Sequence, residues 1–365
     1  MSTVGSTLDD ARGTSPKRGS DYATLLNQVR QAGLLERRPL FYTVSITINL
    51  AMLVGGWALF FWLGNSWWQV VTAVLLAVAF AQNGFLTHDA GHKQIFRSRQ
   101  GNQVVGWLHG NLAVGLAFGW WSDKHNRHHA HPNQEGLDPD INGENLAYTD
   151  AQVSSRRGIG RLLTRYQGVL FFPMLMLLAI SMRESSVRAL TSRGYRNRKP
   201  EAILFGLHIV AYLTVVFLVL SPVKALVFVL VHQALLGVYL GSVFAPNHKG
   251  MPILSADDDS DFLRRQVLTA RNVRGGRLTD VLLGGLNYQI EHHLFPSMPH
   301  PSLRRARPIV REFCLSHGLT YAETSLFESY RQALRHLNTV GKGAPQPALA
   351  GMGGGDGGSP QAPTG

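Results

Sequence analysis

The sequence predicts an all-α integral membrane protein with four transmembrane helices in two hairpins, interfacial helices and a cytoplasmic histidine-rich cap. Three observations carry that expectation. Of 365 residues, 45% are apolar and only 16% are charged, which is low in charge for a soluble chain. The apolar residues gather into four runs, 40–63, 67–86, 202–220 and 223–245, each near the ~20 residues that cross about 30 Å of hydrocarbon. Eight of the fifteen histidines fall in short clusters close to these runs.

Residues 1–20 are polar, lack the apolar core of a secretory signal, and are expected to form a disordered tail. The first two runs are joined by "GNS" and the last two by "SP", linkers too short for anything but tight hairpins. Lys224 is the only charge within the runs, and it stands near an end, where its long side chain reaches the interface. Buried helices of a large soluble core would be shorter and one-sided.

Arg30, Arg37 and Arg38 precede the first run, and Arg97 and Arg99 follow the second. "RGYRNRK" precedes the third, while Lys249, Arg264, Arg265, Arg271, Arg274 and Arg277 follow the fourth. The positive-inside rule then places both termini, the long loops and the histidine clusters on the cytoplasmic side. The net charge of +12 suits a surface facing anionic lipid heads. No nucleic-acid motif accompanies it, so no nucleic-acid partner is expected.

Stretches 104–121 and 169–182 are interrupted, the second by Pro173, and suit helices that lie in the interface or dip partway. Gly106 with Gly110, and Gly115 with Gly119, have small-xxx-small spacing. That favours close helix packing, with a lipid tail along the glycine face as the alternative. The working domain is expected at 21–340, followed by a disordered Gly- and Pro-rich tail at 341–365. The single cysteine, Cys314, excludes an intramolecular disulfide and reads as a packed thiol.

"HDAGH" supplies His88 and His92, "HNRHH" supplies His125, His128 and His129, "NHKG" supplies His248, and "QIEHH" supplies His292 and His293. Spacings of i, i+4 and i, i+3, i+4 put rings on one helix face. Imidazole offers a lone pair near neutral pH because its reference pKa is about 6.5. Eight rings exceed the needs of one tetrahedral ion, so two ions are expected; iron, copper, zinc and nickel all suit the donor type. "HDAGH" lacks the glutamate base of HExxH proteases. Clustering on one membrane face argues for metal over ordinary hydrogen-bonded histidines, whereas His109, His131, His208, His232, His300, His317 and His336 fall outside the pattern.

"HDAGH", "HNRHH" and "GGLNYQIEHHLFPSMP" (284–299) resemble the three histidine boxes of the membrane-bound fatty acid desaturase family. Gln289, where most of the family has histidine, is characteristic of its front-end branch, the delta-5, delta-6 and related acyl desaturases. The resemblance runs from about residue 40 to 320. It implies a di-iron centre that uses O2 and two electrons to remove two hydrogens from a fatty acyl chain. Carried over by residue, His88, His92, His125, His128, His129, His292 and His293 would be ligands, and His248, outside a box, an eighth. Gln289 would take the remaining position, either binding iron through its weaker amide oxygen or holding a water.

The same resemblance makes Asn247, Asn287, Asp89 and Asp138 groups that orient the rings, with loop capping as their plain alternative. An acyl tail would enter from the lipid, and the basic residues 264–277 with Lys249 would hold a coenzyme A phosphate or a lipid head, or serve only the charge bias. Many eukaryotic members carry a fused cytochrome b5 domain. No HPGG-type haem motif stands near the start of this sequence, so electrons are expected from a separate carrier, a ferredoxin or cytochrome b5 with its reductase. The boxes leave open a hydroxylase on the same di-iron frame. A membrane metal transporter or sensor would line its spans with polar residues, and here only scattered ones such as Asn49, His208 and His232 occur.

Overall fold

The computed structural model of the protein describes residues 20–343, Glu144 excepted. The expected tails lie outside those residues, apart from Ser20, which opens the first helix, and residues 341–343 at the close of the last. The chain forms α1 (Ser20–Gln31), α2 (Pro39–Leu63), α3 (Gln69–Gly91) and α4 (Arg99–Gly106), which passes directly into a π-helical stretch, Trp107–Val114. There follow α5 (Phe118–Ala130), α6 (Asp150–Ser155), α7 (Gly158–Arg165), α8 (Gln167–Leu175), α9 (Leu178–Thr191), α10 (Arg198–Val219) and α11 (Pro222–His248). The last third holds α12 (Phe262–Leu268), β1 (Asn272–Arg274), α13 (Arg277–Leu282), α14 (Gln289–Leu294), α15 (His300–Ser316), β2 (Glu323–Ser325) and α16 (Leu326–Gly341).

Four helices are long and apolar enough to cross a membrane: α2, α3, α10 and α11. Pro39 and Pro222 open two of them, at a position where a missing N–H is harmless. Two helices outrun their apolar stretches, α3 to Gly91 and α11 to His248, so "HDA" and "NH" ride on the spans themselves rather than on loops after them. The polar side chains of Asn83 and Thr87 are satisfied within α3 itself, donating back to the carbonyls of Ala79 (2.7 Å) and Asn83 (2.9 Å). The helix closes when the N–H groups of His92, Lys93 and Gln94 return to the carbonyls of His88, Ala90 and Asp89. Lys93 adopts the left-handed turn, φ 58°, that ends many helices.

α3 packs against α2 and α11 around Phe60, Leu76, Phe80, Phe228 and Leu236. The outer faces carry exposed Val74, Leu75, Val210, Leu226 and Leu230, a surface that hydrocarbon rather than water would cover. The 169–182 stretch falls within α8 and α9, an apolar pair bent by 69°, with Pro173 inside α8. The 104–121 stretch is divided between α4, the π-helical turns and the start of α5. At its four glycines the space a Cβ would need is filled by Phe118, Thr87, His208 and Tyr195, so the close-packing reading holds over the lipid-tail one.

A second core joins α1, α12, α14 and α15 through Leu25, Val29, Leu263, Ile290, Leu294, Val310 and Phe313. Cys314 lies in it, and burial lifts its thiol to about 12, which makes it inert. β1 and β2 pair in parallel, Val273 opposite Thr324, and hold the segment just ahead of the third box.

Candidate metal centre

Helix α5 bears the second box, and its start is fixed by side chains from elsewhere in the chain. The N–H groups of four successive residues have no partner within a helix. Here Ala117 donates to Ser186 Oγ (3.0 Å), Phe118 to Asn111 Oδ1 (3.3 Å), Gly119 to Glu201 Oε2 (3.0 Å) and Trp120 to Tyr195 Oη (2.7 Å). The Glu201 carboxylate also complements the positive end of the helix dipole. One turn on, the Trp121 indole stacks on His125, centroids 4.6 Å apart. Gly91 of the first box leaves room for it, since a Cβ there would lie 2.9 Å from the indole.

All eight candidate histidines meet in one buried cage, each no more than 8% exposed. Their ligand atoms fall into two groups. His88, His92, His125 and His292 form one, and His128, His248 and His293 the other, with the atoms of each group within 4.8 Å of one another. His129 Nε2 faces the first group, 3.1 Å from His125 Nε2 and 3.0 Å from His292 Nε2, while its ring stacks on His293 at 4.1 Å. Neighbours in sequence therefore diverge: His128 and His129 serve different groups, as do His292 and His293.

Outer partners fix four of the tautomers. Nδ1–H donates from His88 to Asp89 Oδ1 (3.1 Å), from His128 to Asp138 (3.0 Å), from His248 to the Thr269 carbonyl (3.0 Å) and from His293 to Gln266 Oε1 (2.9 Å). Each bond leaves an Nε2 lone pair turned inward. Among buried side-chain atoms left without a hydrogen bond are His92 Nε2 and His293 Nε2, as expected of donors awaiting a cation. Inward lone pairs 3.0–3.1 Å apart repel without an ion between them. The donor set fits two ions.

Asp89 and Asp138 thus hold rings as expected. Asn287 does not: its amide donates to Asp280 Oδ1 (3.0 Å), away from the cage. Asn247 Nδ2 serves the Val243 and Leu286 carbonyls and Gln289 Oε1 (3.1 Å), which turns Gln289 Nε2 toward His248 Nε2 (2.9 Å). Gln266 and Thr269 were not legible as ring holders, because α12 precedes the third box by more than twenty residues. Glu291 lies fully buried between Asn272 Nδ2 and Tyr321 Oη, each 2.7 Å away, and burial lifts it to about 7. It ties α14 to β1.

The remaining histidines stay apart. His131 binds Gln134, His109 binds Asn83, His208 the Leu112 carbonyl, His232 Tyr212 and His317 the Phe313 carbonyl. His300 sits behind Asp89 at 3.8 Å, and His336 lies on α16. Of the basic residues after α11, most are committed to the protein. Arg271 is fully buried and donates to the carbonyls of Pro246, Lys249 and Ser329 and to Gln332. Arg264 pairs with Asp21 and Asp261, Arg265 reaches the Ala130 and Ser260 carbonyls, and Lys249 lies over Tyr148. Among the described residues only Arg274 and Arg277 of this set keep free heads, which narrows the expected phosphate-holding group to those two.

Residues 65–325 match the profile of the family described as "Fatty acid desaturase". The chain belongs to that family. It is 30% identical over 342 residues to the "Acyl-lipid (9-3)-desaturase" of Physcomitrium patens, covering 90% of this chain and 64% of the moss protein. It is 32% identical to the "Delta(8)-fatty-acid desaturase" of Euglena gracilis over 87% of this chain and 78% of that protein. Identity is 31% to the "Delta(5) fatty acid desaturase fat-4" of Caenorhabditis elegans, over 89% and 75% respectively. These relatives are front-end enzymes, the branch that Gln289 indicates.

Two predictions concern the cage of this desaturase. Burial, and then the neighbouring rings, hold His92, His125, His129, His292 and His293 well below 6.5. Without a metal, these rings are neutral when folded and take protons when unfolded. Their stabilisation is therefore present above about pH 6.5 and is lost as pH falls, at up to ~1.4 kcal/mol per pH unit for each ring. At His128 burial acts downward too, but Asp138 and Asp140 outweigh it and raise that ring, opposing the trend with one group. The melting temperature of metal-free protein should drop from about pH 7.5 to about pH 5.5; a flat or rising profile would contradict a neutral cage. Asp138→Asn should weaken metal binding at the His128 group by about 10- to 100-fold, read by competition with a chelator, and undiminished retention would deny Asp138 its role.

Proposed function

We propose that this desaturase inserts a double bond near the carboxyl end of a fatty acyl chain carried on a membrane lipid, at a di-iron centre. His88, His92, His125, His129 and His292 would hold one iron and His128, His248 and His293 the other. Gln289, with its amide N–H turned inward, suits a bound water better than direct ligation. The convergence of two groups of inward Nε2 atoms carries this reading. Two irons there would supply the oxidant, formed from O2, two electrons and two protons, that takes two hydrogens and leaves a double bond and two waters.

The chain's own residues do the holding. Asp89, Asp138, Thr269 and Gln266 keep the rings in one tautomer, and Trp121 with Phe244, 6.3 Å from His125, shields the cage from water. Arg37, Arg38, Arg97 and Arg99 flank α2 and α3 at the end that carries the cage, which supports two membrane hairpins with the termini and centre facing the cytoplasm. The moss relative's name supports an acyl-lipid substrate. Electrons would come from a separate ferredoxin or cytochrome b5, docked on the basic face; added salt should then slow turnover with the protein donor.

Gas chromatography of cell lipids after expression, with double-bond location, tests the reaction. New unsaturation close to the carboxyl end is the expected result. Hydroxy-fatty acids would favour a hydroxylase, and no lipid change would reject both.

A further inference from the structure

α13, between the fourth span and the third box, takes no part in the centre. None of its six residues is buried, and Leu278, Val281 and Leu282 are 72%, 59% and 45% exposed. Such apolar exposure on a short polar-flanked helix needs a cover. The helix is pinned at the seam between α3 and α11, where Gln82 Nε2 donates to the Val281 carbonyl (3.1 Å) and Tyr239 Oη to the Leu282 carbonyl (2.8 Å). Below that seam run exposed Val71 and Leu75 of α3 and Leu235 of α11, so the apolar face of α13 continues the lipid-facing surface of the spans.

Its charge completes the pattern. Arg274 and Arg277 are exposed and, among the described residues, have no carboxylate partner. Asp280, the one acid on α13, is already taken by Arg304 (3.2 Å) and Asn287 (3.0 Å). Two free guanidiniums beside an apolar face match a lipid phosphate above its acyl chains.

We propose that α13 is the docking site for the phosphate headgroup of the phospholipid whose acyl chain is desaturated. Arg274 and Arg277 hold the phosphate, and Leu278, Val281 and Leu282 insert among the acyl chains. The proposal rests on the acyl desaturase reading above. Gln82 stands six residues before His88 on one helix, about 9 Å along its axis, so a headgroup at α13 brings the ester end of its chain close to the cage. A short reach of this kind is what a double bond few carbons from the carboxyl requires, as in the Delta(5) and Delta(8) relatives. A thioester arriving from water would meet no need for the apolar face.

Two measurements on the iron-loaded, full-length enzyme in vesicles of phosphatidylcholine with phosphatidylserine test it. A fluorophore on Leu278→Cys, with Cys314 fully buried and unlabelled, should be quenched by quenchers on lipid tails and not by aqueous iodide. R274Q/R277Q should raise KM for a phospholipid-linked fatty acyl chain by about tenfold, the loss of two charge-assisted contacts, with iron content unchanged. A label quenched only from water, or an unaltered KM, overturns the proposal. Turnover of acyl-coenzyme A but not of the phospholipid overturns it while leaving acyl desaturation standing; turnover of neither overturns that reading as well.

Discussion

His128→Ala is expected to reduce desaturation below detection and to lower bound iron from two toward one per chain. Its Nε2 is one of only three imidazole donors in the His128, His248 and His293 group, and two imidazoles with water hold iron poorly compared with three. Second-rank partners alone cost about 10- to 100-fold in affinity or activity when lost, so deletion of a ligand should exceed the upper end of that range. The variant should still insert in the membrane, since His128 lies on α5 rather than on a span. His125→Ala leaves four imidazoles in the other group and should therefore cost less iron than His128→Ala, with the His128 group still filled. Iron analysis with Mössbauer spectra of both proteins separates the cases. Unchanged iron in His128→Ala removes that ring from the ligand set.

Arg271→Ala should be the most destabilising single change outside the cage. The side chain is fully buried, and its guanidinium satisfies three carbonyls and Gln332 Oε1. Burial lowers it to about 10, so it remains charged at neutral pH. Two of the carbonyls, Pro246 and Lys249, bracket the negative end of α11 where His248 sits. Removing the head strands the buried Pro246 and Ser329 carbonyls at about 1–3 kcal/mol each, with smaller losses at the half-buried Lys249 carbonyl and Gln332 Oε1, against a total stability of about 5–15 kcal/mol for a typical domain. Arg271→Lys offers three donors on a narrower head and should recover only part of the loss. Thermal melts in detergent would show it, and a wild-type melting temperature for Arg271→Ala would refute the clamp.

The sequence revealed whatever depends on local period. Apolar runs marked the four spans to within a few residues, and i, i+4 histidine spacing marked the cage. It did not reveal that α3 and α11 run on into the boxes, because the apolar runs that marked the spans stop at 86 and 245 whereas the helical hydrogen bonding continues through the polar residues that follow. Charge bias hid Arg271, which reads like any cytoplasmic arginine yet is the most enclosed cation of its segment. Glu201 and Tyr195 stand about eighty residues from the helix they cap, and no local pattern announces a cap supplied from another span. Asn287 shows the converse error: proximity to a box in sequence suggested a ring partner, whereas its amide turns to Asp280.

The divergence of adjacent histidines has a consequence for how the centre tolerates change. His128 with His129, and His292 with His293, each send two rings from one pair of Cα atoms, about 3.8 Å apart, toward different donor groups. The separation of the two donor groups is thereby inherited from peptide geometry at two places in the chain. Substitutions elsewhere in the spans can then accumulate while the distance between the two donor groups stays constant.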